Sequence, residues 1–351
     1  MSLAVLGALL LAAVLAHGLW QARRSEVKRA VDEPLPAAAP QEPSFGPPAV
    51  ADERGDSPAA ERVEPMLALA LGLARRASAK LDALIDAIAT IALDSPASGE
   101  TAIAHLPPTR RAGSKPFLVE GLNTESGEWE TPVAGQRYGE FQAGLLMANR
   151  SGALNEIEYS EFVQKVQAFA DALGGLPDFP DMRGVVARAR ELDAFAGQHD
   201  AQLALRLVSR SAAWSPGYVQ QHAAKLGFVA GSMPGRLALP SGEEEGAPPL
   251  LSLQFDAQAA LAEDPAQSAL REITLAFDVP QTASSEAPFE RWCSAGQALA
   301  QTLDAALYDD GGQPLQPSAF AAIGQELERL YAALAERDLA AGSPAARRLF
   351  S

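Results

Sequence analysis

One stretch of the chain is apolar enough to cross a bilayer, and it lies at the N-terminus. Residues 3–20 contain no Asp, Glu, Lys or Arg, and basic residues follow at Arg23, Arg24 and Lys28. About 18 residues at 1.5 Å per residue give about 27 Å, close to the thickness of the hydrocarbon core of a membrane. No basic residue precedes the run, so the pattern predicts a membrane helix over residues 1–24 with its basic end in the cytoplasm. A cleaved signal peptide, which would carry positive charge before the apolar run, is the alternative.

Polar, proline-rich sequence follows the predicted membrane helix. Seven prolines from Pro34 to Pro58 are interspersed among Ala, Glu and Asp, and such a segment cannot bury a hydrophobic core. We therefore predict a disordered linker over residues 25–62. In residues 66–76 the leucines alternate as in a strand, whereas the Ala and Leu content favours a helix, so this stretch stays unassigned.

The C-terminal part of the chain alternates apolar and polar residues as strands buried on one face do, and amphipathic helices lie between the strands. The predicted elements are a strand at 203–207, a helix at 218–226 between Ser215-Pro216 and Gly227, strands at 237–239, 250–255 and 273–279, a helix over 289–303, and a helix over 318–335. We interpret residues 199–338 as one α+β domain, an antiparallel sheet with helices on one face, and residues 339–351 as a tail.

An earlier segment repeats this order of elements. Residues 158–162 align with residues 288–292 at a spacing of 130 positions, and the alignment continues through the helix. The elements predicted upstream and downstream of that helix are a strand at 81–93, a short helix at 98–106, strands at 117–121 and 141–148, and a helix over 182–196. We interpret residues 63–198 as a related first domain, so the predicted fold is a membrane helix followed by two tandem split-βαβ domains. Chance resemblance between two amphipathic helices is the alternative.

The face of the second sheet that points away from the helices is the candidate binding surface. The residues predicted to line it are Ala204, Arg206, Ser252, Gln254, Thr274 and Ala276, joined by Met233 on the adjoining strand. In the first copy Leu146 takes the position of Ala276, flanked by Gln142, Gly144 and Ala148. A face that is only solvated is the alternative, because antiparallel sheets commonly face water on one side.

Composition and motifs argue against an enzyme or a nucleic-acid-binding protein. The formal net charge of -16 disfavours nucleic acid and limits contact with anionic lipid to the predicted membrane helix. The single cysteine, Cys293, cannot form an internal disulfide, and the four histidines show no ligand spacing. Nucleophile-elbow, P-loop, dinucleotide-binding and zinc-protease motifs are missing from the sequence, so we predict no catalytic residue, no metal site and no cofactor.

The sequence resembles the ZipA family of bacterial cell division proteins. The residues that carry the resemblance are Val14 to Trp20 with the following Arg23-Arg24, then Leu226-Gly227-Phe228, Thr274 to Pro280, and Leu307-Tyr308-Asp309-Asp310. The resemblance implies a six-stranded antiparallel sheet with three helices on one face and a groove on the other. It implies a non-enzymatic adaptor that binds the C-terminal tail of the tubulin-like GTPase FtsZ. It also implies a single-pass protein of the inner membrane, with its body in the cytoplasm at the division septum.

Two departures from that family shape the expectations. The family groove is apolar, whereas this chain has Ala204, Asp256 and Ala276 there, so partner binding could instead use the first domain or the junction. The linker is shorter than in the family and the first domain is additional, so we expect that domain to be a folded spacer that holds the second domain away from the bilayer. The alternative function is a tethered regulatory module that binds a small ligand or another division protein in the interdomain cleft. Such a module needs a deep pocket with convergent polar groups, whereas an adaptor needs a shallow apolar strip.

Overall fold

A computed structural model describes Lys28 and residues 80–242, 247–262 and 268–351 of the 351-residue chain. Lys28 and the chain from Ala79 onward belong to one compact unit. The predicted membrane helix, the unassigned stretch 66–76 and the linker apart from Lys28 lie outside the described residues. Within those that are described, no helix combines the length and the apolar character needed to span a membrane.

The first part of the described chain, residues 80–200, forms a six-stranded antiparallel sheet and a two-stranded one. Its helices are α1 (Gly99–His105), α2 (Glu156–Leu173) and α3 (Met182–His199). Its strands are β1 (Asp86–Ser98), β2 (Arg111–Ala112), β3 (Lys115–Asn123), β4 (Trp129–Glu130), β5 (Arg137–Leu146), β6 (Ala148–Asn149), β7 (Gly152–Ala153) and β8 (Gly175–Asp178). The larger sheet has the order β2-β3-β5-β1-β8, with β4 paired to β3, and β6 pairs with β7.

The second part, from residue 201 onward, forms another six-stranded antiparallel sheet with the order β10-β11-β12-β13-β9-β14. Its strands are β9 (Gln202–Ser209), β10 (Val229–Ala230), β11 (Arg236–Leu239), β12 (Leu251–Gln254), β13 (Glu272–Asp278) and β14 (Ala305–Tyr308). Its helices are α4 (Pro216–Ala224), α5 (Ala257–Ala260), α6 (Pro288–Leu303), α7 (Pro317–Ala335) and α8 (Pro344–Leu349). The predicted mixture of helices and antiparallel sheets is confirmed.

In both sheets, the strand that follows the long helix is an edge strand, and it pairs with the first strand of that sheet in chain order. In the first sheet α2 leads to β8 beside β1, and in the second sheet α6 leads to β14 beside β9. The two helices end alike at the spacing of 130 positions noted in the sequence, because Gly174 and Asp304 both take left-handed backbone conformations, with φ of 67° and 56°. Asp304 accepts this conformation although it is not glycine, and its carboxylate receives a hydrogen bond from the Ser211 hydroxyl at 2.6 Å.

Aromatic side chains from the long helices fill the core of each sheet. In the first core Phe162 of α2 packs edge-on against Phe117 of β3, with ring centroids 5.6 Å apart. In the second core Trp292 of α6 is buried, with Phe277 of β13 at 6.2 Å, and its indole N–H donates to the carbonyl of Leu275 at 3.1 Å. Large apolar groups buried in this way supply most of the free energy of folding. They also dictate which face of each sheet is covered.

The first strand begins later than the predicted strand at 81–93. Asp82 starts a turn instead, because the amides of Ile85 and Asp86 both donate to its carbonyl, at 3.1 and 2.8 Å. The strand then continues to Ser98 past an irregularity in its pairing with β5. Alternating apolar residues extend through the turn, so the pattern alone placed the strand too early.

Residues 339–351, which we interpreted as a tail from the sequence, are folded and pack against the first part of the chain. Leu339, Leu349 and Phe350 are buried there and join the core formed by the first sheet and α2. Gln281, which follows β13, donates to the Phe350 carbonyl at 2.6 Å. Short apolar segments after a long helix carry no periodicity, which is why the sequence pattern missed α8.

Ion pairs also join the two parts of the chain. Arg348 of α8 donates to both oxygens of the fully buried Asp86 side chain, at 2.5 and 2.7 Å. Arg150 of the first part forms ion pairs with Asp200 at 2.6 Å and with Asp278 at 2.7 Å. Buried charges of this kind are costly to leave unpaired. The C-terminus therefore contributes to the stability of the first sheet.

We expect Arg348→Ala to lower the free energy of unfolding by about 3–5 kcal/mol at pH 7, because the variant leaves the Asp86 carboxylate buried without its partner. The matched control is Arg329→Ala, whose exposed pair with Glu326 is worth less than about 1 kcal/mol. Urea unfolding of both variants measures the difference. Equal losses in the two variants would contradict this role for Arg348.

The loss caused by Arg348→Ala should shrink on acidification. Burial raises the pKa of Asp86 above 3.8 even though Arg348 opposes the shift. A carboxyl whose folded-state pKa is raised contributes stability that is present below its unfolded pKa and is lost as the pH rises through the folded pKa. Removing Arg348 raises that pKa further, so we expect the variant and the native chain to converge in stability between pH 7 and about pH 4.

Candidate functional site

The open face of the second sheet carries two cross-strand rows. In the first row Ser252, Ala276 and Ala204 lie side by side on β12, β13 and β9. The second row places Gln254 beside Thr274 and Thr274 beside Arg206. The structure thus brings six of the seven predicted face residues together on the side away from α6.

The first row is a strip of small side chains. Ala276 at its centre is only 3% exposed, and it does not belong to the apolar cluster that α6 covers. The register extends the row through Ala238 on β11 to Val229 on β10, which is 52% exposed. Neither residue was predicted. Ala238 lies between the inward-facing Leu237 and Leu239, so strict alternation would have found it, whereas the two-residue strand β10 has no sequence pattern.

The second row is polar and ends in an ion pair. Arg206 donates two hydrogen bonds of 2.6 Å to the Glu272 carboxylate, and Tyr308 of β14 lies beside Arg206 in the register. The bond from Arg206 lowers the pKa of Glu272 and, reciprocally, raises the pKa of Arg206. The charge of Arg206 is therefore already neutralised within the face, and its side chain forms one wall beside the strip of small residues.

Met233 was predicted on a strand, but it lies in the turn between β10 and β11. Its carbonyl accepts from the Arg236 amide at 3.2 Å, and Gly235 takes a φ of 74° that closes the turn. An added Cβ at Gly235 would lie 2.5 Å from the Phe255 carbonyl oxygen, so only glycine fits. Met233 is 50% exposed in the turn that follows β10, rather than part of the sheet.

The matching face of the first sheet is covered. Leu146, which aligns with Ala276, is fully buried, and Leu81 lies over Gly144, where an added Cβ would be 2.3 Å from a Leu81 methyl group. The buried Glu120 holds this segment down, because its carboxylate accepts from the Leu81 amide at 3.1 Å and from Gln142 at 2.9 Å. The two sheets therefore differ on this side, and the open strip belongs to the second.

Two cavities lie elsewhere on the second part of the chain. A groove of about 360 Å³ is lined by Ala201, Leu203, Val279, Ala322, Ile323, Glu326, Leu327 and Leu330. Among these described residues, Glu326 alone carries a charge, so the groove lacks the convergent polar groups of a small-ligand site. A wider cleft of about 710 Å³ runs beside β14 and the solvent side of α6. Neither cavity includes a predicted face residue.

Residues with metal-binding or nucleophilic chemistry are not gathered at the open face. In the described part of the chain no cluster of three or more His, Cys, Asp and Glu side chains could hold a metal ion. Cys293 sits half-buried on α6. Burial raises the pKa of its thiol to about 11, and the neighbouring Glu290 carboxylate adds to the shift. A thiol of this kind is a poor nucleophile at neutral pH.

The comparison with protein families identifies the region that contains the centre of the second sheet. The family model described as ZipA, C-terminal FtsZ-binding domain, matches residues 256–326. The match includes β13 with Thr274 and Ala276, the whole of α6 and β14, and the first half of α7. It confirms the family resemblance over these residues and indicates FtsZ binding in cell division. No curated protein sequence matches the chain.

We expect Cys293 of the folded chain to react with iodoacetamide at pH 8 about 100-fold more slowly than an unperturbed cysteine, because a thiol with a pKa of about 11 is almost entirely protonated there. The same chain unfolded in guanidinium chloride is the control, since unfolding returns the thiol to its ordinary pKa. Mass spectrometry of the alkylated peptide measures both rates. Rates within threefold of each other would show that Cys293 is not protected.

Proposed function

We propose that this protein is a membrane-anchored cell division adaptor that binds the C-terminal tail of FtsZ and links the division ring to the inner membrane. The observation that carries the proposal is the family match over residues 256–326, because this region supplies the central strand of the open face and the helix that supports it. The binding role of the other face residues is part of the proposal. Four of the six sheet positions in the two rows come from strands that precede the match.

The shape of the open face suits an extended or helical peptide. The strip that runs from Ala204 through Ala276 to Val229 has side chains too short to fill the space above the sheet, and the row of Arg206 and Gln254 rises along one side. Apolar side chains of a peptide would rest on the strip, with Met233 contacting one end. Burial contributes about 25 cal/mol per Å² of apolar surface, so modest affinity is expected from a strip made largely of alanine.

Electrostatics should contribute little to the affinity. Arg206 is paired with Glu272, so a carboxylate on the partner gains less from Arg206 than from an unpaired arginine. Replacing Arg206 with Ala should therefore change affinity only modestly, and raising the salt concentration should have a small effect. An adaptor that binds mainly by apolar contact also needs no catalytic group, and we place this protein among non-enzymatic adaptors.

The membrane part of the proposal rests on residues 3–20 and on the basic residues after them. A helix over this run is long enough to cross the bilayer once, and the basic cluster would keep the body in the cytoplasm. We propose that a protein anchored in this way and bound to FtsZ acts at the division septum. The alternative function, a ligand module with a pocket between the two domains, gains no support from the apolar groove beside α7.

We expect Met233→Glu to weaken binding of a labelled FtsZ C-terminal tail peptide by about tenfold or more, because a charge replaces an apolar contact at the end of the strip. The matched control is Leu176→Glu on β8 of the first sheet, since Leu176 is also exposed, at 76%. Fluorescence anisotropy with residues 25–351 measures both affinities. The whole body is used because residues 339–351 complete the first core.

Three results of that titration would count against the proposed surface or the proposed partner. Unchanged affinity in Met233→Glu would exclude the end of the strip, and equal weakening by Leu176→Glu would indicate a nonspecific charge effect. Failure of the native body to bind the peptide would overturn FtsZ-tail binding itself.

We expect deletion of residues 1–24 to move the protein from the membrane fraction to the soluble fraction of a bacterial cell, because these residues contain the proposed membrane helix. Substituting the basic pair Arg23 and Arg24 with Ala is the control, and this variant should keep the apolar run and stay in the membrane. Fractionation followed by carbonate extraction measures the distribution. A deleted chain that resists carbonate extraction would contradict a single N-terminal anchor.

A further inference from the structure

Lys28 is docked on the second part of the chain although it lies far from it in sequence. Its amide donates to the Ala213 carbonyl at 2.7 Å, and its own carbonyl accepts from the Ser215 amide at 2.8 Å. These bonds form a parallel bridge with Trp214. Two backbone hydrogen bonds to one short segment are the pattern of an added strand rather than of a passing contact.

The other side of Trp214 is already paired, so Lys28 completes a small sheet. The amide and carbonyl of Trp214 exchange hydrogen bonds of 2.8 Å with Leu270. The indole of Trp214 is fully buried and donates to the Leu303 carbonyl at 2.8 Å. Trp214 is thus bridged to Lys28 on one side and to Leu270 on the other, and its indole is bonded to the end of α6.

The side chain of Lys28 contacts the same end of α6. Its ammonium group donates to the Leu303 carbonyl at 3.2 Å and lies 3.8 Å from the Asp304 carboxylate. The last carbonyls of a helix have no partner within the helix and carry partial negative charge, so a cation at this position is favourable. Backbone pairing and side-chain charge therefore both select Lys28 for this site.

We propose that Lys28, which follows the predicted membrane helix, is held beside Trp214 in the membrane-bound protein, so that the second part of the chain lies close to the bilayer. This inference rests on the membrane anchor of the proposed function. The chain between the apolar run of residues 3–20 and Lys28 is residues 21–27, which span at most about 25 Å when fully extended. The end of α6 and the neighbouring edge strand β14 are the part of the body nearest to the membrane.

The same contact changes the role of the proline-rich segment. The body holds Lys28 at one end and Lys80 at the other, where the Lys80 carbonyl accepts from Arg348 at 3.1 Å. Residues 29–79 therefore connect two points of the folded body and do not add reach between membrane and body. If this proposal holds, the first part of the chain does not act as a spacer for the second.

Cross-linking of the full-length protein in lipid vesicles tests the docking. In a Cys293→Ala background, Lys28→Cys combined with Asp304→Cys should be joined by a short bis-maleimide in most chains. The control combines Lys28→Cys with Arg190→Cys on α3, where we expect a small fraction of cross-linked chains. Similar yields for the two pairs would overturn the docking.

Hydrogen exchange provides a second measurement that needs no substitution at the site. The Ser215 amide is bonded to Lys28, whereas the Trp214 amide is bonded to Leu270. Deleting residues 1–30 should raise the exchange rate of the Ser215 amide at least about tenfold and leave that of Trp214 unchanged, because one bond is lost and the other remains. An unchanged Ser215 rate would contradict the proposal, and faster exchange at both amides would show general loosening instead.

These measurements are independent of FtsZ. If the chain is cross-linked but does not bind the tail peptide, the docking of Lys28 stands and the adaptor function is refuted. If the chain binds the peptide but is not cross-linked, the docking is refuted and the adaptor function stands. Energy transfer from a label on Asp304→Cys to a headgroup dye tests closeness to the bilayer. It should exceed the transfer from a label on Arg190→Cys, and equal transfer would refute the membrane-proximal arrangement.

Discussion

One-sided burial of the two sheets is the constraint on which the rest of this structure depends. Each strand alternates its side chains, and a long helix covers the inward set with aromatic residues that include Phe162 in the first sheet and Trp292 in the second. Once one face is committed to the core, the opposite face must be either solvated or covered by another part of the chain. In the first sheet, Leu81 covers the opposite face, whereas the second sheet carries a strip of small residues on that side.

The covered face of the first sheet distinguishes it from the second sheet. The segment that crosses it is held by Glu120 and by Arg348, whose guanidinium reaches both Asp86 and the Lys80 carbonyl. Arg348 comes from the last helix of the chain, so the C-terminus closes the face that a binding sheet would keep open. Relatedness of fold between the two parts therefore does not imply a shared binding function.

Backbone pairing at Lys28 adds a constraint of a different kind. Apolar burial dictates which face of each sheet is covered, whereas two backbone hydrogen bonds and one ion pair attach Lys28 to the segment of Trp214 and to Asp304. The proposed binding face and the proposed membrane-proximal end involve separate elements, β13 with its neighbours and the segment of Trp214. On these proposals, partner binding and membrane positioning could be altered independently.

The sequence by itself determined the order of the strands and helices of the second part apart from β10, α5 and α8. It also determined the inward and outward sets of β9, β12 and β13 and the start of α4 at Ser215 and Pro216, because these follow from local periodicity and capping chemistry. Only the tertiary structure decided that Met233 lies in a turn, that Leu146 is covered, that residues 339–351 belong to the first core, and that Lys28 is paired with Trp214. Each of these depends on contacts between residues far apart in the chain, and such contacts leave no period in the local sequence.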